Sequence, residues 1–589
     1  VKTILAIVLS VGLFAAPGSA QPKIDHISNA ASYTLSPLPN SSIAQGSFFV
    51  IFGNGLASST ASIWGDYPLP TELGNASVAV TVGGQTKNAI IFYAGPSAPP
   101  FDSQINAVLP SDTPTGTGQV VVTYNGQASA AKPITVVSSS FGTFTVNQGG
   151  TGPGWFFNIA NDGSAAQNTP LNAAKPGQMI TVFGTGLGPV SDVANEGKQP
   201  PATGDMRSSS FLVDVYVGNQ KADVAYAGRS GYTAEDQVNF TVPSGVQGCY
   251  VNVAIYAGPP GNQVISNFSS LAVNPNGGPC SDGDGIDMAD IATQVQNNGS
   301  ANVGVISMLS NYLNITGVLS VRWDNDTVTG EIGNFTSATL NAFQGFTLAP
   351  SVDTCTVSPF QGFPPATDPA LAQVTFLDAG ASLSIQGPNG TKPVPKNSNN
   401  NGYGGLVGGA TIQELLQAGG EPPFFLDANF KISAGTYTVS APGGSKVGAF
   451  SGTLNVSSAA AQFNWTNSNI ASNPIPRNQD LTITWTGGDP NGFVDITLIG
   501  STNQSGVPTA TTPGVLVACM AKASDGSFTV PSFVLQSLPS TTGSSSLIPP
   551  GEILVGPASG GVKISPTPSG LDAAYLFYHF IAGTTASWQ

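Results

Sequence analysis

Three features of this sequence predict an all-β chain built from tandem sandwich domains. The stretch GSFFVIFGNGL (Gly46–Leu56) returns as GQMITVFGTGL (Gly177–Leu187), 131 positions further on. Alternating apolar and polar runs, such as QVNFTVP (Gln237–Pro243), recur at short spacing between clusters of Gly, Pro, Asn and Ser. The composition supplies 72 Gly and 46 Pro but only 8% charged residues, which favours short strands and turns over long helices.

At 589 residues the chain exceeds one hydrophobic core and calls for roughly four units. It opens with VKTILAIVLSVGLFAAPGSA, in which Lys2 precedes an apolar run, Ile4 to Ala16, and a small-residue site, Gly18-Ser19-Ala20. That pattern predicts an export leader over 1–20 with cleavage after Ala20; the apolar run is shorter than the ~20 residues that span a bilayer. The expected location is secreted or cell surface, with no transmembrane span. Net charge is −15, with 17 Lys and Arg spread thinly, so a nucleic-acid groove or an anionic-membrane patch is not expected.

The repeat extends beyond its first landmark. VAVTVGG (Val78–Gly84), FYAG (Phe92–Gly95) and QINAVLP (Gln104–Pro110) follow the first copy. VDVYVGN (Val213–Asn219), AYAG (Ala225–Gly228) and QVNFTVP follow the second, at offsets that drift as loop insertions make them drift. Val238, Phe240 and Val242 point one way along their strand, and Gln237, Asn239 and Thr241 the other. The paired glycines of FGNGL and FGTGL are expected to supply positive backbone angles for a turn. A phosphate cradle would need a following helix and usually a Lys. Two copies of one immunoglobulin-like sandwich are therefore predicted, with Phe52 and Phe183 in equivalent places.

These motifs carry a resemblance. NAASY (Asn29–Tyr33), IFGNGL, LPTELGNASVAV (Leu69–Val80), QIN, VFGTGLGPV (Val182–Val190), YAG, QVNFTVP and SNFSSLAV (Ser266–Val273) look like an uncharacterised domain family of secreted acidobacterial proteins. That family is similar to the TIG/IPT branch of immunoglobulin-like folds, and the match covers about residues 25–282. One departure is AGPSAPPFDSQIN (Ala94–Asn106), where members have a shorter approach to QIN. The family has no established activity, so the resemblance implies no catalytic residues. Four cysteines in an oxidising compartment permit three pairings. The resemblance implies that Cys249 and Cys280 bracket the last strands of the second copy and pair, which leaves Cys355 with Cys519.

Further on, CSDGDGIDMADIATQVQNNG holds Asp282, Asp284, Asp287 and Asp290. A calcium loop read from Asp282 fails its register, with Ile286 at the fifth position and Thr293 at the twelfth, so a linker or a short capped helix is preferred over 281–300. LDAGASLSIQGPNG (Leu377–Gly390) and ISAGTYTVSAPGG (Ile432–Gly444) read as related strands of one domain, 301–460. LTITWTGG, VDITLIG and GSFTVPSFVL predict a looser immunoglobulin-like module over 461–589. The full layout is a leader at 1–20, sandwiches at 21–144 and 145–280, the linker, and sandwiches at 301–460 and 461–589. Trp485 is expected in a core; Trp465 and Trp485 are also the candidate ligand-contact residues.

No motif calls for a metal or another cofactor. His26 and His579 are the only histidines, no GxSxG elbow occurs, and Asp324 and Asp326 are expected on a solvated face or turn. The predicted role is structural or adhesive contact, possible partners being polysaccharide or cell-surface material; the alternative is a secreted carbohydrate-binding or carbohydrate-cleaving protein.

Overall fold

Alternation builds the first sandwich. In the strand Ala76–Val82 every second side chain is buried, and Val78 and Val80 meet Phe49 and Ile51 of the facing sheet in a closed apolar core. The computed structural model describes residues 21–315, 321–342, 350–362, 374–398, 402–409, 431–503, 505–506, 509, 511–546 and 550–589. The leader expected over residues 1–20 lies outside the described residues.

One sheet of the first copy runs Lys23–Asn29, Phe48–Asn54, Ser103–Val108, Ile90–Pro96. The opposing sheet carries Lys132–Val137, Gly116–Tyr124 and Ala76–Val82 in that order. The second copy repeats both orders with Phe156–Ile159, Met179–Thr185, Asp236–Thr241 and Gln220–Arg229, and with Ser269–Val273, Gly248–Gly258 and Leu212–Val217. Register agrees residue by residue: Phe52 stands opposite Gln104, and Phe183 opposite Gln237. Even the bulge recurs, between Ile91 and Tyr93 in one copy and Val224 and Tyr226 in the other. One difference is that Leu212–Val217 pairs with Gln220–Arg229 and joins the second copy's two sheets, whereas the first copy keeps them apart.

The glycine pairs have two jobs and not the single one expected. Only the second of each pair, Gly55 and Gly186, has positive φ. The first, Gly53 and Gly184, sits in the strand, where a Cβ would run into Lys23 O or Gly142 O of the neighbouring strand. Glycine is needed there for close backbone approach, not for a turn.

Residues 281–300 are a packed element. Asp287 caps the helix Met288–Asn298 by accepting from Asp290 N–H, and Gly299 ends it in the left-handed conformation. Its Met288, Ile291 and Val295 pack on Tyr575 and Phe577.

The expected division between 301–460 and 461–589 is corrected by a ten-stranded sheet that runs through both. Ser300–Ile315 lies parallel to Ala573–Thr585, and Thr354–Gln361 pairs antiparallel with Pro513–Lys522. Two small sheets cover one face of this long one. The first runs Gly390–Pro395, Ser382–Gly387, Gly435–Ala441, Phe450–Val456, so the two AG-turn segments do become paired neighbours. The second runs Asn464–Trp465, Leu481–Thr486, Ser527–Val530. This unit docks on the second copy through Phe533, whose ring stacks on Tyr216 at 4.3 Å.

Both disulfides are formed, Cys249–Cys280 and Cys355–Cys519. The second joins directly opposed residues of the long sheet.

Candidate ligand-binding face

The repeated landmarks meet on the solvent side of the sheet. Odd positions of Met179–Thr185 point outward, and so do Gln237 and Asn239 of the adjoining strand. Phe183 is half-buried there, with the Phe157 ring 5.9 Å and the Trp155 ring 6.4 Å from its centre. Trp155 is 44% exposed, an unusual position for so large an apolar side chain. Beside the rings, Asn239 Oδ1 accepts from Gln237 Nε2 at 2.9 Å and from Thr181 Oγ1 at 3.0 Å. That fixes both amides with Asn239 Nδ2 and Gln237 Oε1 left over as donor and acceptor. The face therefore combines three rings with oriented, uncharged hydrogen-bonding groups.

The first copy has the same row in a closed form. His26 stacks against Phe52 at 6.4 Å, and Gln104 Nε2 donates to Asn106 Oδ1 at 3.4 Å. Here, however, Phe101 folds back over Phe52 with ring centres 5.3 Å apart, and Tyr33 closes in at 6.4 Å. The unusual approach AGPSAPPFDSQIN thus supplies a lid ring. At the matching position the second copy has Ala234, which leaves its row uncovered.

A second difference lies at the turn. Leu56 N–H donates to Ser103 Oγ at 2.9 Å, and Leu187 N–H donates to Asp236 Oδ2 at 2.8 Å, so one structural role is filled by a hydroxyl in one copy and a carboxylate in the other. Asp236 is fully buried and paired with Arg229, which also donates to Gly188 O. Burial pushes the Asp236 carboxyl up, while Arg229 and the Leu187 N–H oppose it. Arg229 lies against Gly46 of the first copy, where a Cβ would meet both its guanidinium and Ser111 Oγ. Ser111 N–H and Oγ both donate to Glu196, at 2.8 and 2.7 Å, and burial raises that carboxyl too. These contacts tie the copies together end to end.

The residues singled out from sequence fall elsewhere. Trp465 and Trp485 are cross-strand partners. Trp485 is buried with its Nε1 donating to Ala523 O, and Trp465 packs on the same core, its Nε1 held by Asn467. Of the two candidate ligand contacts, Trp485 is corrected, because it is 3% exposed and has no free face; Trp465 is half-buried. Asp324 and Asp326 are buried, not solvated; Asp326 accepts from Ile432 N–H, and Lys431 lies 3.9 Å from Asp324. Asp282 accepts from Cys249 N–H and Ser351 Oγ, Asp287 caps the helix, and Asp290 pairs with Lys563, so these carboxylates hold structure one by one. Asp284 is pushed up to about 6 by burial and by Asp282. His579 Nδ1 meets Asp495 Oδ2 at 2.7 Å on the long sheet, both side chains largely buried.

A 560 Å³ cleft lined by Pro476, Arg477, Asn478, Gln536 and Gln589 opens beside Tyr256, on the other sheet of the second copy. Its described lining has no aromatic or acidic side chain. Trp155, which sequence reasoning missed, has one signal in the chain: it precedes the FG pair by nearly the same interval as His26 does in the first copy.

No family model and no curated protein matches the chain. Among solved structures, the titin Ig tandem domains A164-A165 align at 4% identity and TM-score 0.11, covering 40% of this chain and 90% of theirs. SGBP-B of the Bacteroides ovatus mixed-linkage glucan utilization locus, solved with a mixed-linkage heptasaccharide, aligns at 12% identity and TM-score 0.12, covering 86% and 98%. Overlaps this loose carry no argument about function.

Proposed function

We propose that the chain is an exported contact protein that holds neutral polysaccharide or other cell-surface material on the outer face of its second copy, without transforming it. The observation that carries this reading is the uncovered row Trp155, Phe157 and Phe183 beside the fixed amides Gln237 and Asn239. A pyranose ring offers an apolar C–H face and a rim of hydroxyls, which matches ring and amide in turn. Membership of the TIG/IPT-like family belongs to the same proposal, supported by the shared skeleton of the two copies.

The test is native electrophoresis through gels containing hydroxyethyl cellulose, galactomannan or xylan. The wild-type protein is expected to be retarded by at least one polymer, and Trp155→Ala to lose about tenfold in affinity, in line with a single well-packed ring contact. Trp485→Phe, a core change, keeps the retardation. Unchanged retardation in Trp155→Ala removes the reading.

A further inference from the structure

The two most exposed large apolar side chains among the described residues are Tyr232, at 67%, and Trp64, at 66%. Both flank the seam between the copies. There Leu69, Ile90, Phe92 and Val108 of the first copy close on Ala234 of the second, with Phe48 and Tyr67 packed alongside. Trp64 lies 5.5 Å from Phe92, and Ile63 N–H donates to Phe92 O at 2.9 Å. Tyr232 precedes Ala234 by two residues, and its loop is tied across the seam by Tyr67 Oη and Thr233 Oγ1, 2.9 Å apart. Two rings are therefore held in solvent on backbones that are fixed, at a cost in unburied apolar area.

The seam continues the open row. Thr185 ends the strand that carries Phe183; its Oγ1 donates to Ala234 O at 2.7 Å and accepts from Phe48 N–H at 2.8 Å. From Phe183 to Thr185 is two residues of strand, about 7 Å. Phe48 then begins the first copy's strand, whose outward face carries Phe52.

We infer that a neutral polysaccharide chain runs from the Trp155–Phe183 row across the seam and rests on Tyr232 and Trp64, which act as additional subsites. This rests on the function proposed above and extends it from a point contact to a track across two domains. The charge balance selects the occupant. Asp66 follows Trp64 by two residues and Glu235 follows Tyr232 by three, and Arg229 is paired with Asp236 in a chain of net charge −15. An anionic polymer would meet repulsion here, while an uncharged one meets rings, amides and hydroxyls.

The experiment compares Trp64→Ala/Tyr232→Ala with Trp155→Ala and the wild type. Each is titrated with a retarding polymer of the panel above and with the trisaccharide cut from that polymer; melting curves confirm folding, which is expected because both seam rings are exposed. The inference predicts that the seam double variant loses about tenfold in polymer affinity and keeps its trisaccharide affinity, while Trp155→Ala loses both. Wild-type polymer affinity in the double variant overturns the track and leaves the Trp155 face standing. An equal loss for trisaccharide and polymer also overturns it, because the rings would then not be additional subsites. If sedimentation shows a dimer of the wild type that the double variant abolishes, the seam is a protein contact and the inference falls. If no polymer retards the wild type, the proposed function falls with it.

Discussion

The two copies share a strand order, a register and a bulge, yet differ in two ways, in the cover over the aromatic row and in the group that holds the turn after the glycine pair. In the first copy the aromatic row is lidded by Phe101, and the turn is held by Ser103, which accepts from Leu56 N–H, together with Asp102, which accepts from Gly55 N–H. In the second the row is open, with Trp155 in solvent, and the turn is held by a buried ion pair of Asp236 and Arg229. A duplicated scaffold needs its core and its close-approach glycines twice. It needs neither a second docking contact nor a second uncovered face. The differences therefore separate what builds the sandwich from what the second copy adds, a rigid seam and an open surface.

The largest test breaks the ion pair. Arg229→Ala leaves Asp236 buried without its partner and is expected to destabilise the joined copies by about 3–5 kcal/mol, seen as a lower-temperature calorimetric transition and faster amide exchange at Leu187. Arg229→Ala/Asp236→Ser, which installs the first copy's hydroxyl, should recover much of that loss. If the double variant is no better than the single one, the two turns are not interchangeable. Ser103→Ala removes the acceptor for Leu56 N–H and the donor to Asp102 Oδ1, and should cost about 1–2 kcal/mol, read as local exchange at Leu56.

Phe101→Ala sharpens the comparison from the other side. It removes one stacked pair, about 0.5–1.5 kcal/mol, and uncovers Phe52, so the first copy should gain weak polymer binding that adds to that of the second. A variant that still depends wholly on Trp155 would show that Phe101 is packing and not a lid. The smallest effect concerns pH. Burial raises the Glu196 carboxyl above its unfolded value, so its contribution to stability is fully present in acid and declines as pH climbs through the raised value. Glu196→Gln keeps an acceptor for Ser111 and should flatten that part of the stability profile; an unchanged slope would assign the pH dependence elsewhere.

How much was legible depended on the range of the interactions. The first half could be read because duplication prints its landmarks twice, and because Phe52 and Gln104 or Phe183 and Gln237 sit in locally alternating strands. The long sheet could not be read: the parallel pairing of Ser300–Ile315 with Ala573–Thr585 joins segments far apart in the chain and leaves no local pattern. Trp485 lies on an alternating strand whose inward side was the right guess for a core. Trp465, its cross-strand partner, followed it into the same wall. Trp155 escaped notice because exposure depends on what packs over a side chain from elsewhere in the fold, as Phe101 packs on Phe52 in the first copy, and cover of that kind is a tertiary property.

The central claim is that the second copy's row touches ligand and the first copy's lidded row does not. Hydroxyl-radical footprinting of the full chain reads both rows, and the buried Trp485 as an internal standard, in one experiment. With a retarding polymer present, Trp155 oxidation should fall several-fold while Phe101, His26 and Trp485 stay as they were. Equal protection of both rows, or an unprotected Trp155 under saturating polymer, would contradict the account.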